Sequence, residues 1–277
     1  MKEGQWYPGN MARAINNLRQ DLKIVDLVVE LLDARIPYSS RNPVFAELLK
    51  AKKHLVLLHK ADRAEDSETA KWLVYFKKQK INAMPFSVHH KRYLSQLIRF
   101  LKEQESNLRS TRLKRPLRMI IVGIPNVGKS TMINYFVHKA VTRTGNQPGI
   151  TKGRQWIRIN PGLELLDTPG VLWPRIDEDT AWPLAVVGAI PPSRIDLESM
   201  ALWLIDYYLD NIKAGILSNR YPLTNVNSAE KIFEQIARTQ GCLQTEGKPE
   251  PNRTAALLLR DFQAGLLGRI TLEKAPL

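Results

Sequence analysis

The residues from Gly123 to Ser130, Gly-Ile-Pro-Asn-Val-Gly-Lys-Ser, have the types and spacing of a loop that binds phosphate. In such a loop, successive backbone N–H groups and the N-terminus of a helix converge on phosphate oxygens. Lys129 is expected to contact the β- and γ-phosphates, and the Ser130 hydroxyl is expected to ligate Mg²⁺. An apolar segment at 117–122 precedes the loop and a helical pattern at about 129–138 follows it, which is the context that the motif requires.

Two further motifs follow in the order that a nucleotide hydrolase needs. Asp167-Thr168-Pro169-Gly170 comes after a short apolar strand, so that Asp167 is expected to hold Mg²⁺ through its water shell and the Gly170 amide to contact the γ-phosphate. Between the two motifs, Thr151 is placed to complete the metal's ligands. Each short motif alone is compatible with an ordinary loop, but their shared order favours catalysis by Lys129, Thr151 and Gly170.

The segment His59-Lys60-Ala61-Asp62 resembles the Asn-Lys-x-Asp motif by which GTPases select guanine. The Asp62 carboxylate can accept hydrogen bonds from the N1 and N2 donors of guanine, whereas the Lys60 stem can pack over the ring. Ser87 and Val88 end the next predicted strand and match the weaker accessory motif for the base. The predicted nucleotide-binding residues are His59, Lys60, Asp62, Ser87, Val88, Asn126, Val127, Gly128, Lys129, Ser130, Thr131 and Gly170.

These motifs occur in a permuted order, because the base motif precedes the phosphate loop by about sixty positions. Domain termini usually lie close together at the surface, so a permuted chain can keep the same site in space. The polar, basic stretch 104–116 is predicted to be the linker that joins the two halves.

Alternating apolar and amphipathic segments predict an α/β fold with a mostly parallel sheet flanked by helices, followed by a small all-helical C-terminal domain. The predicted strands are 24–32, 54–58, 83–87, 117–122, 155–160 and 163–167. The predicted helices are 43–51, 67–79 with Ser67 as its N-cap, 93–103, 129–138, 198–212, 228–240 and 252–267. The domains are predicted at 1–180, the GTPase domain, and at 181–277, the helical domain.

The charge of the chain is strongly asymmetric. Its 41 Lys and Arg outnumber its 27 Asp and Glu by 14, and residues 181–277 contain 10 of each kind, so the whole excess lies in residues 1–180. Such an excess favours a polyanionic partner, although any one cluster is equally compatible with a solvated helix end. Cys242 is the single cysteine and no apolar run is long enough to span a bilayer, so we expect a cytoplasmic monomer without stable membrane association.

The order of the motifs, together with several further segments, closely resembles the YlqF/RbgA family of circularly permuted GTPases. These segments are Gln5-Trp6-Tyr7-Pro8-Gly9-Asn10-Met11, Asp33-Ala34-Arg35-Ile36-Pro37, Ser40-Arg41-Asn42-Pro43, the stretch 166–174, Arg260-Asp261-Phe262 and the stretch 268–273. The resemblance implies a bacterial factor that binds the large (50S) ribosomal subunit late in assembly, hydrolyses GTP there, and contacts rRNA with its helical C-terminal domain. It also implies turnover that is slow without the ribosome.

Two residues depart from the family pattern. Asn10 stands where the family has a His that is thought to help activate water, and His59 stands where the base motif begins with Asn. Val171 agrees with the family in placing an apolar residue where other GTPases have a Gln that orients water. Catalysis is therefore expected to rest on phosphate-loop electrostatics, on Mg²⁺ and on a bound monovalent cation, with Asn10 as a further candidate for orienting water. Asn126 resembles the residue that coordinates K⁺ in potassium-stimulated GTPases; the alternative is an amide that only stabilises the loop.

Two other functions remain compatible with the sequence. A nucleotide-gated RNA-binding module with negligible GTP turnover would explain the loss of the N-terminal His. A membrane-associated small GTPase would use the basic residues on anionic lipid, but no lipidation motif or basic amphipathic helix supports it.

Overall fold

The computed structural model of the chain describes residues 8–50, 52–110, 115–144, 156–166, 172–173, 176–191, 196–211, 213–224, 226–245 and 247–276. The chain divides into two compact units. The larger unit contains Gln5–Pro174 and the returning segment Glu273–Leu277, and the smaller unit contains Arg175–Leu272. We call the smaller one the helical unit.

The larger unit is built on a six-stranded sheet with the spatial order β3-β2-β1-β4-β6-β5. Its strands are β1 Leu27–Asp33, β2 Lys53–His59, β3 Asn82–Phe86, β4 Leu117–Gly123, β5 Trp156–Asn160 and β6 Leu163–Leu166. Every neighbouring pair is parallel except β5 and β6, which are antiparallel. The predicted fold class, a mostly parallel sheet flanked by helices, is therefore confirmed.

Helices flank this sheet and bury its apolar strands. They are α1 Pro8–Ile24, α2 Pro43–Leu48, α3 Asp66–Lys78, α4 Lys91–Ser110 and α5 Lys129–Thr144. Leu18 and Leu22 of α1 pack in one core cluster with Val28 of β1. Trp72 and Phe76 of α3 belong to a second cluster, which includes strand residues of β1 and β2. Every residue of β1 is buried, as expected for the central strand of a parallel sheet.

Three expectations about the bounds of elements, one of a strand and two of helices, are wrong. Residues 24–26 precede β1 instead of belonging to it, and Ile24 ends α1, where it is 45% exposed. Ser67 is not an N-cap, because α3 begins at Asp66 after Glu65. The stretch 104–116 is not a linker throughout, because α4 continues to Ser110. The Gln, Glu, Leu and Arg residues of 104–110 are good helix formers, so polarity alone does not mark a linker.

The helical unit contains α6 Glu178–Val186, α7 Leu197–Asp210, α8 Ala214–Arg220, α9 Ala229–Thr239 and α10 Pro251–Ala264. Its core includes a buried carboxylate, Asp261, which accepts hydrogen bonds from Arg220 Nε at 2.8 Å and from the Tyr221 hydroxyl at 3.1 Å. Cys242 is buried and forms no disulfide. Across the described segments of both units, no helix is long and apolar enough to cross a membrane.

Candidate functional site

The predicted base and phosphate motifs meet at one edge of the sheet. Strand register places Asp33, the last residue of β1, beside His59 at the end of β2, and His59 beside Phe86 at the end of β3. On the other side of β1, Leu31 lies beside Gly123 at the end of β4. Because parallel strands end at a common edge, motifs that are far apart in the sequence become neighbours. We call this the carboxyl edge.

The phosphate loop bends sharply between β4 and α5. A Cβ at Gly123 would lie 2.7 Å from the Leu31 carbonyl oxygen, so the loop leaves β4 in close contact with β1. Asn126 is in the left-handed conformation, with φ of 56°. Lys129 is buried, and its Nζ donates hydrogen bonds to the carbonyl oxygens of Gly123 at 3.1 Å and Ile124 at 2.7 Å. Ser130 and Thr131 are exposed in the first turn of α5.

His59 packs directly against this loop. A Cβ at Gly128 would lie 2.5 Å from both Cδ2 and Nε2 of His59, and the φ of Gly128 is +111°, so only glycine fits there. The His59 Nδ1 accepts a hydrogen bond from the Lys60 N–H at 2.6 Å. Burial, and then the positive charge of Lys60, lower the pKa of His59 to about 4. The imidazole is therefore neutral at physiological pH and acts as a packing link between the base motif and the phosphate loop.

A buried charge cluster holds Lys60. Its Nζ donates to Asp33 Oδ2 at 2.9 Å and to the Asn126 carbonyl oxygen at 3.2 Å. Asp33 also accepts two hydrogen bonds from the Arg35 guanidinium, at 2.9 and 2.8 Å. Burial alone would raise the pKa of Asp33, but the charges of Arg35 and Lys60 outweigh it and hold that pKa far below its ordinary value. The cluster thus fixes the base-motif lysine beside the phosphate loop.

Asp33 is a site residue that the sequence analysis noted only as part of a family motif. Its position directly after an apolar run, at the end of a predicted strand, was the available indication. Its partner Lys60 is 27 residues away, and only the pairing of β1 with β2 brings them together.

The other base-contact candidates lie at the same edge. Asp62 belongs to a short 3-10 turn, Ala61–Arg63, and its side chain is 33% exposed with Arg63 Nε at 3.9 Å. Ser87 is fully buried, and its hydroxyl accepts a hydrogen bond from the His89 N–H at 3.2 Å. Val88 is partly buried. Asp62 is thus accessible to a ligand, whereas Ser87 shapes the turn after β3.

The remaining candidates cannot be placed. Thr151, Asp167 and Gly170 lie outside the described residues, and so does Val171. Asn10 lies in the first turn of α1, but its side chain is not described.

Comparison with known proteins relates the whole chain to ribosome-associated GTPases. A family model described as 50S ribosome-binding GTPase matches residues 118–233. Ribosome biogenesis GTPase A of Bacillus pumilus (strain SAFR-032) is 39% identical over 98% of each chain. The protein of the same name from Thermotoga maritima is 33% identical over 97% of this chain and 94% of its own. The structure of GNP-bound YlqF from T. maritima is 29% identical, with a TM-score of 0.66 over 95% of this chain and 99% of that one.

Proposed function

The chain belongs to the YlqF/RbgA family of circularly permuted GTPases and is a GTP-hydrolysing ribosome assembly factor, and on that premise we propose that it acts on the large (50S) subunit by binding rRNA. The observation that carries this proposal is a row of exposed lysines on the larger unit. The proposal includes a monomeric protein, and it places that protein in the cytoplasm because the relatives at 37–39% identity are named bacterial ribosome biogenesis GTPases.

The lysines lie at the edge of the sheet where β1, β2 and β3 begin. Lys23 precedes β1, Lys50 and Lys53 lie at the start of β2, and a third group precedes β3. We define the lysine edge as Lys23, Lys50, Lys53, Lys77, Lys78 and Lys80, all of which are exposed. Helix-to-strand connections of a parallel sheet come together at this edge, so clusters that are separate in the sequence form one positive surface. A phosphate backbone fits such a surface better than a small ligand does.

The lysine edge is remote from the nucleotide site. The seven residues of β1 separate the two edges by roughly 20 Å, at about 3.3 Å per residue. An RNA strand bound at the lysine edge would therefore leave the carboxyl edge accessible to GTP. Arg115 lies near the start of β4 but is bound to Asp26 by two hydrogen bonds of 2.7 and 2.8 Å, so its charge is compensated within the protein. The helical domain, residues 181–277, is proposed as a second rRNA contact on family grounds.

At the carboxyl edge we assign guanine selection to Asp62, whose accessible carboxylate can accept from both N1–H and N2–H. His59, Lys60, Ser87 and Val88 shape the base side, and the amides of the phosphate loop with Lys129 bind the phosphates. Gly128 supports this assignment, because a Cβ there would clash with the His59 imidazole, which links the base motif to the phosphate loop.

The donor set of the loop also fits Mg²⁺. The exposed Ser130 hydroxyl offers the hard oxygen ligand that Mg²⁺ prefers. Thr151 and Asp167 are proposed to complete its surroundings, and Asn126 is proposed to bind K⁺. A bound Mg²⁺ would neutralise negative charge on the phosphates. Among the residues that the structure describes, no group of three His, Cys, Asp or Glu side chains could hold a metal by itself.

Salt titration tests the rRNA proposal. Binding to isolated large subunits should weaken with salt, with a slope of roughly −0.7 to −0.9 in log K per phosphate neutralised. The triple variant Lys50→Glu, Lys53→Glu, Lys78→Glu should reduce that slope by about 2 to 3. The control Lys71→Glu, Lys91→Glu, Arg92→Glu changes the net charge equally, away from the lysine edge. If both variants flatten the slope equally, total charge and not this surface binds the subunit.

Single-turnover GTP hydrolysis tests ribosome stimulation and the role of Asn10. We expect slow hydrolysis that large subunits accelerate and that K⁺ supports better than Na⁺. Asn10→Ala should lose most of the stimulated rate, because an amide can orient water by donating and accepting one hydrogen bond. An unchanged stimulated rate in Asn10→Ala would mean that Asn10 has no role in GTP hydrolysis.

A further inference from the structure

Glu273 follows the helical unit in the sequence and belongs to the larger unit. Its carboxylate accepts hydrogen bonds from the backbone N–H groups of two consecutive residues. Oε2 accepts from Tyr38 N at 2.7 Å, and both oxygens accept from Ser39 N, at 3.1 and 3.2 Å. The Glu273 backbone carbonyl accepts from Trp72 Nε1 at 3.1 Å. Both ends of this residue are therefore fixed.

The segment that Glu273 holds is the loop from β1 to α2. Within it, the turn Ile36–Ser40 is closed by a hydrogen bond from Ser40 N to the Ile36 carbonyl oxygen at 2.9 Å. The Ser40 hydroxyl donates to the same carbonyl at 2.6 Å and accepts from the Asp33 N–H at 3.0 Å. Glu273 thus caps the N–H groups of a turn whose last residue binds the backbone of Asp33.

Asp33 transmits this constraint to the nucleotide site. It binds Lys60 Nζ, and the same Nζ donates to the Asn126 carbonyl oxygen in the phosphate loop. Ala275, two residues after Glu273, packs against the core cluster that also contains Ala61 of the base motif and Ala64. The returning segment therefore packs against the same core cluster as the turn that carries Asp62.

We propose that Glu273 is a positioning residue for nucleotide binding: its carboxylate holds the turn Ile36–Ser40, which keeps Asp33 and Lys60 in place at the base and phosphate motifs. The inference rests on the proposed nucleotide site and is independent of rRNA binding. In this inference, the returning segment contributes to nucleotide binding by the larger unit.

A purely structural role predicts a different outcome. A residue that only stabilises the fold would lower the unfolding temperature without selectively changing nucleotide affinity. A positioning residue should weaken GDP binding and raise KM while kcat changes little, because the described partners of Glu273 are Tyr38, Ser39 and Trp72, outside the phosphate loop. Partial burial, together with the negative charge of Asp33, raises the pKa of Glu273 to about 7, although the N–H donors oppose this shift. Its effect on binding should consequently depend on pH.

The test compares Glu273→Gln with the wild type by equilibrium binding of fluorescent GDP at pH 8. Gln offers one acceptor oxygen where the carboxylate offers two, so we expect the Kd for GDP to rise roughly three- to tenfold. We expect KM for GTP to rise similarly and kcat to stay within about twofold. Lys274→Gln is the matched control, because Lys274 is its exposed neighbour and should leave the Kd unchanged.

Lowering the pH from 8 to 6 adds a second readout. Protonation of Glu273 should weaken GDP binding by the wild type and leave Glu273→Gln unaffected, so the two Kd values should converge. The charged groups around this carboxylate, Asp33 directly and Arg35 and Lys60 through Asp33, are common to both proteins and cancel in the comparison. A constant Kd ratio from pH 8 to 6 would contradict the inference.

Two further variants keep the outcomes distinct. Asp62→Asn should weaken GDP binding on the proposed nucleotide site alone, so wild-type affinity in that variant would overturn the site and the inference together. Weak binding by Asp62→Asn with wild-type binding by Glu273→Gln would overturn only the role of Glu273. If Glu273→Gln does not fold, Ser40→Ala, which removes the next hydrogen bond to Asp33, decides the question by the same Kd and pH criteria.

Discussion

The carboxyl edge and the lysine edge belong to the same sheet but use charge in opposite ways. At the carboxyl edge, the Asp33 and Arg35 side chains are 1% exposed and that of Lys60 is 17% exposed, and each charge is paired at hydrogen-bonding distance. At the lysine edge, the charges are exposed, and Lys53, for example, contacts the neutral side chain of Gln104 at 3.5 Å.

This difference shows that a lysine can have either of two roles. A buried, paired lysine fixes the positions of its neighbours, whereas an exposed lysine adds to the electrostatic potential of the surface. Asp33 holds Lys60 Nζ at 2.9 Å, which fixes the position of that lysine beside the phosphate loop. Among the described residues, no carboxylate is paired with the lysine edge, so these lysines act through their summed potential, which salt screens. Substitutions at the carboxyl edge should therefore lower both the free energy of unfolding and the affinity for nucleotide. Substitutions at the lysine edge should change only binding to polyanions.

The largest expected effect follows from Asp33→Ala. Removing one partner of a buried ion pair leaves Arg35 buried without its counter-charge, which should lower the free energy of unfolding by about 3–5 kcal/mol. Asp26→Ala is the matched variant at the opposite edge, where the partner Arg115 is 33% exposed, and it should cost about 1 kcal/mol. Urea unfolding measures both. Equal losses would remove the contrast between the edges.

His59 should make the stability of the carboxyl edge depend on pH. Its pKa is about 4 in the folded protein, below the ordinary 6.5, so the unfolded chain binds this proton first. The stabilising contribution is therefore complete above about pH 6.5 and is lost as the pH falls towards 4, by up to about 3 kcal/mol. His59→Asn should lack this component, and His89→Asn, which removes an exposed imidazole, should retain it. Unfolding curves between pH 7 and 4 that superimpose for all three proteins would contradict the packing of His59 against Gly128.

Asp62→Asn should change specificity at the carboxyl edge. It removes the acceptor for two guanine N–H groups, so the Kd for GTP should rise by roughly 30- to 100-fold. Xanthosine triphosphate should bind better, because its 2-oxo group accepts a hydrogen bond from the amide. Competition binding with GTP, ATP and the xanthine nucleotide measures this exchange. Equal binding of ATP and GTP by the unmodified protein would refute the assignment of the base site.

The smallest effect on the protein itself should come from the lysine edge. Lys50→Glu, Lys53→Glu and Lys78→Glu together should change the free energy of unfolding by less than about 0.5 kcal/mol per substitution. GDP affinity should stay the same. Loss of GDP binding in this triple variant would mean that the two edges are coupled and act as one continuous site.

The site could be predicted from sequence only where its residues are neighbours in the chain. The phosphate loop is complete within eight consecutive residues, and the base motif within four. By contrast, the Asp33–Lys60 bond depends on the register of two strands, and the contact between Glu273 and Ser39 spans 234 residues. Such pairs follow from the tertiary fold, and neither residue type nor local spacing specifies them.

The fold was predicted better for strands than for helix ends. β2, β3 and β4 begin and end within one residue of their predicted bounds, because apolar runs mark a buried parallel strand clearly. The helix α1 was not expected, because its segment begins with a family motif and shows little alternation of apolar and polar residues at helical spacing. The extension of α4 to Ser110 was missed because a solvent-exposed helix end and a linker have similar composition.

The permuted order also determines which parts of the sheet exist first as the chain is synthesised. β1, β2 and β3 precede α4, whereas β4, the other neighbour of β1, follows it. A nascent chain that has reached α4 can pair β1 with β2, but the other edge of β1 still lacks its partner β4. Apart from Glu30 and Asp33, the residues of β1 are apolar. Unpaired apolar strand edges promote association between chains. Until β4 leaves the ribosome, β1 is therefore an unpaired edge strand, although it lies in the centre of the finished sheet. A fragment that ends in α4 should consequently aggregate.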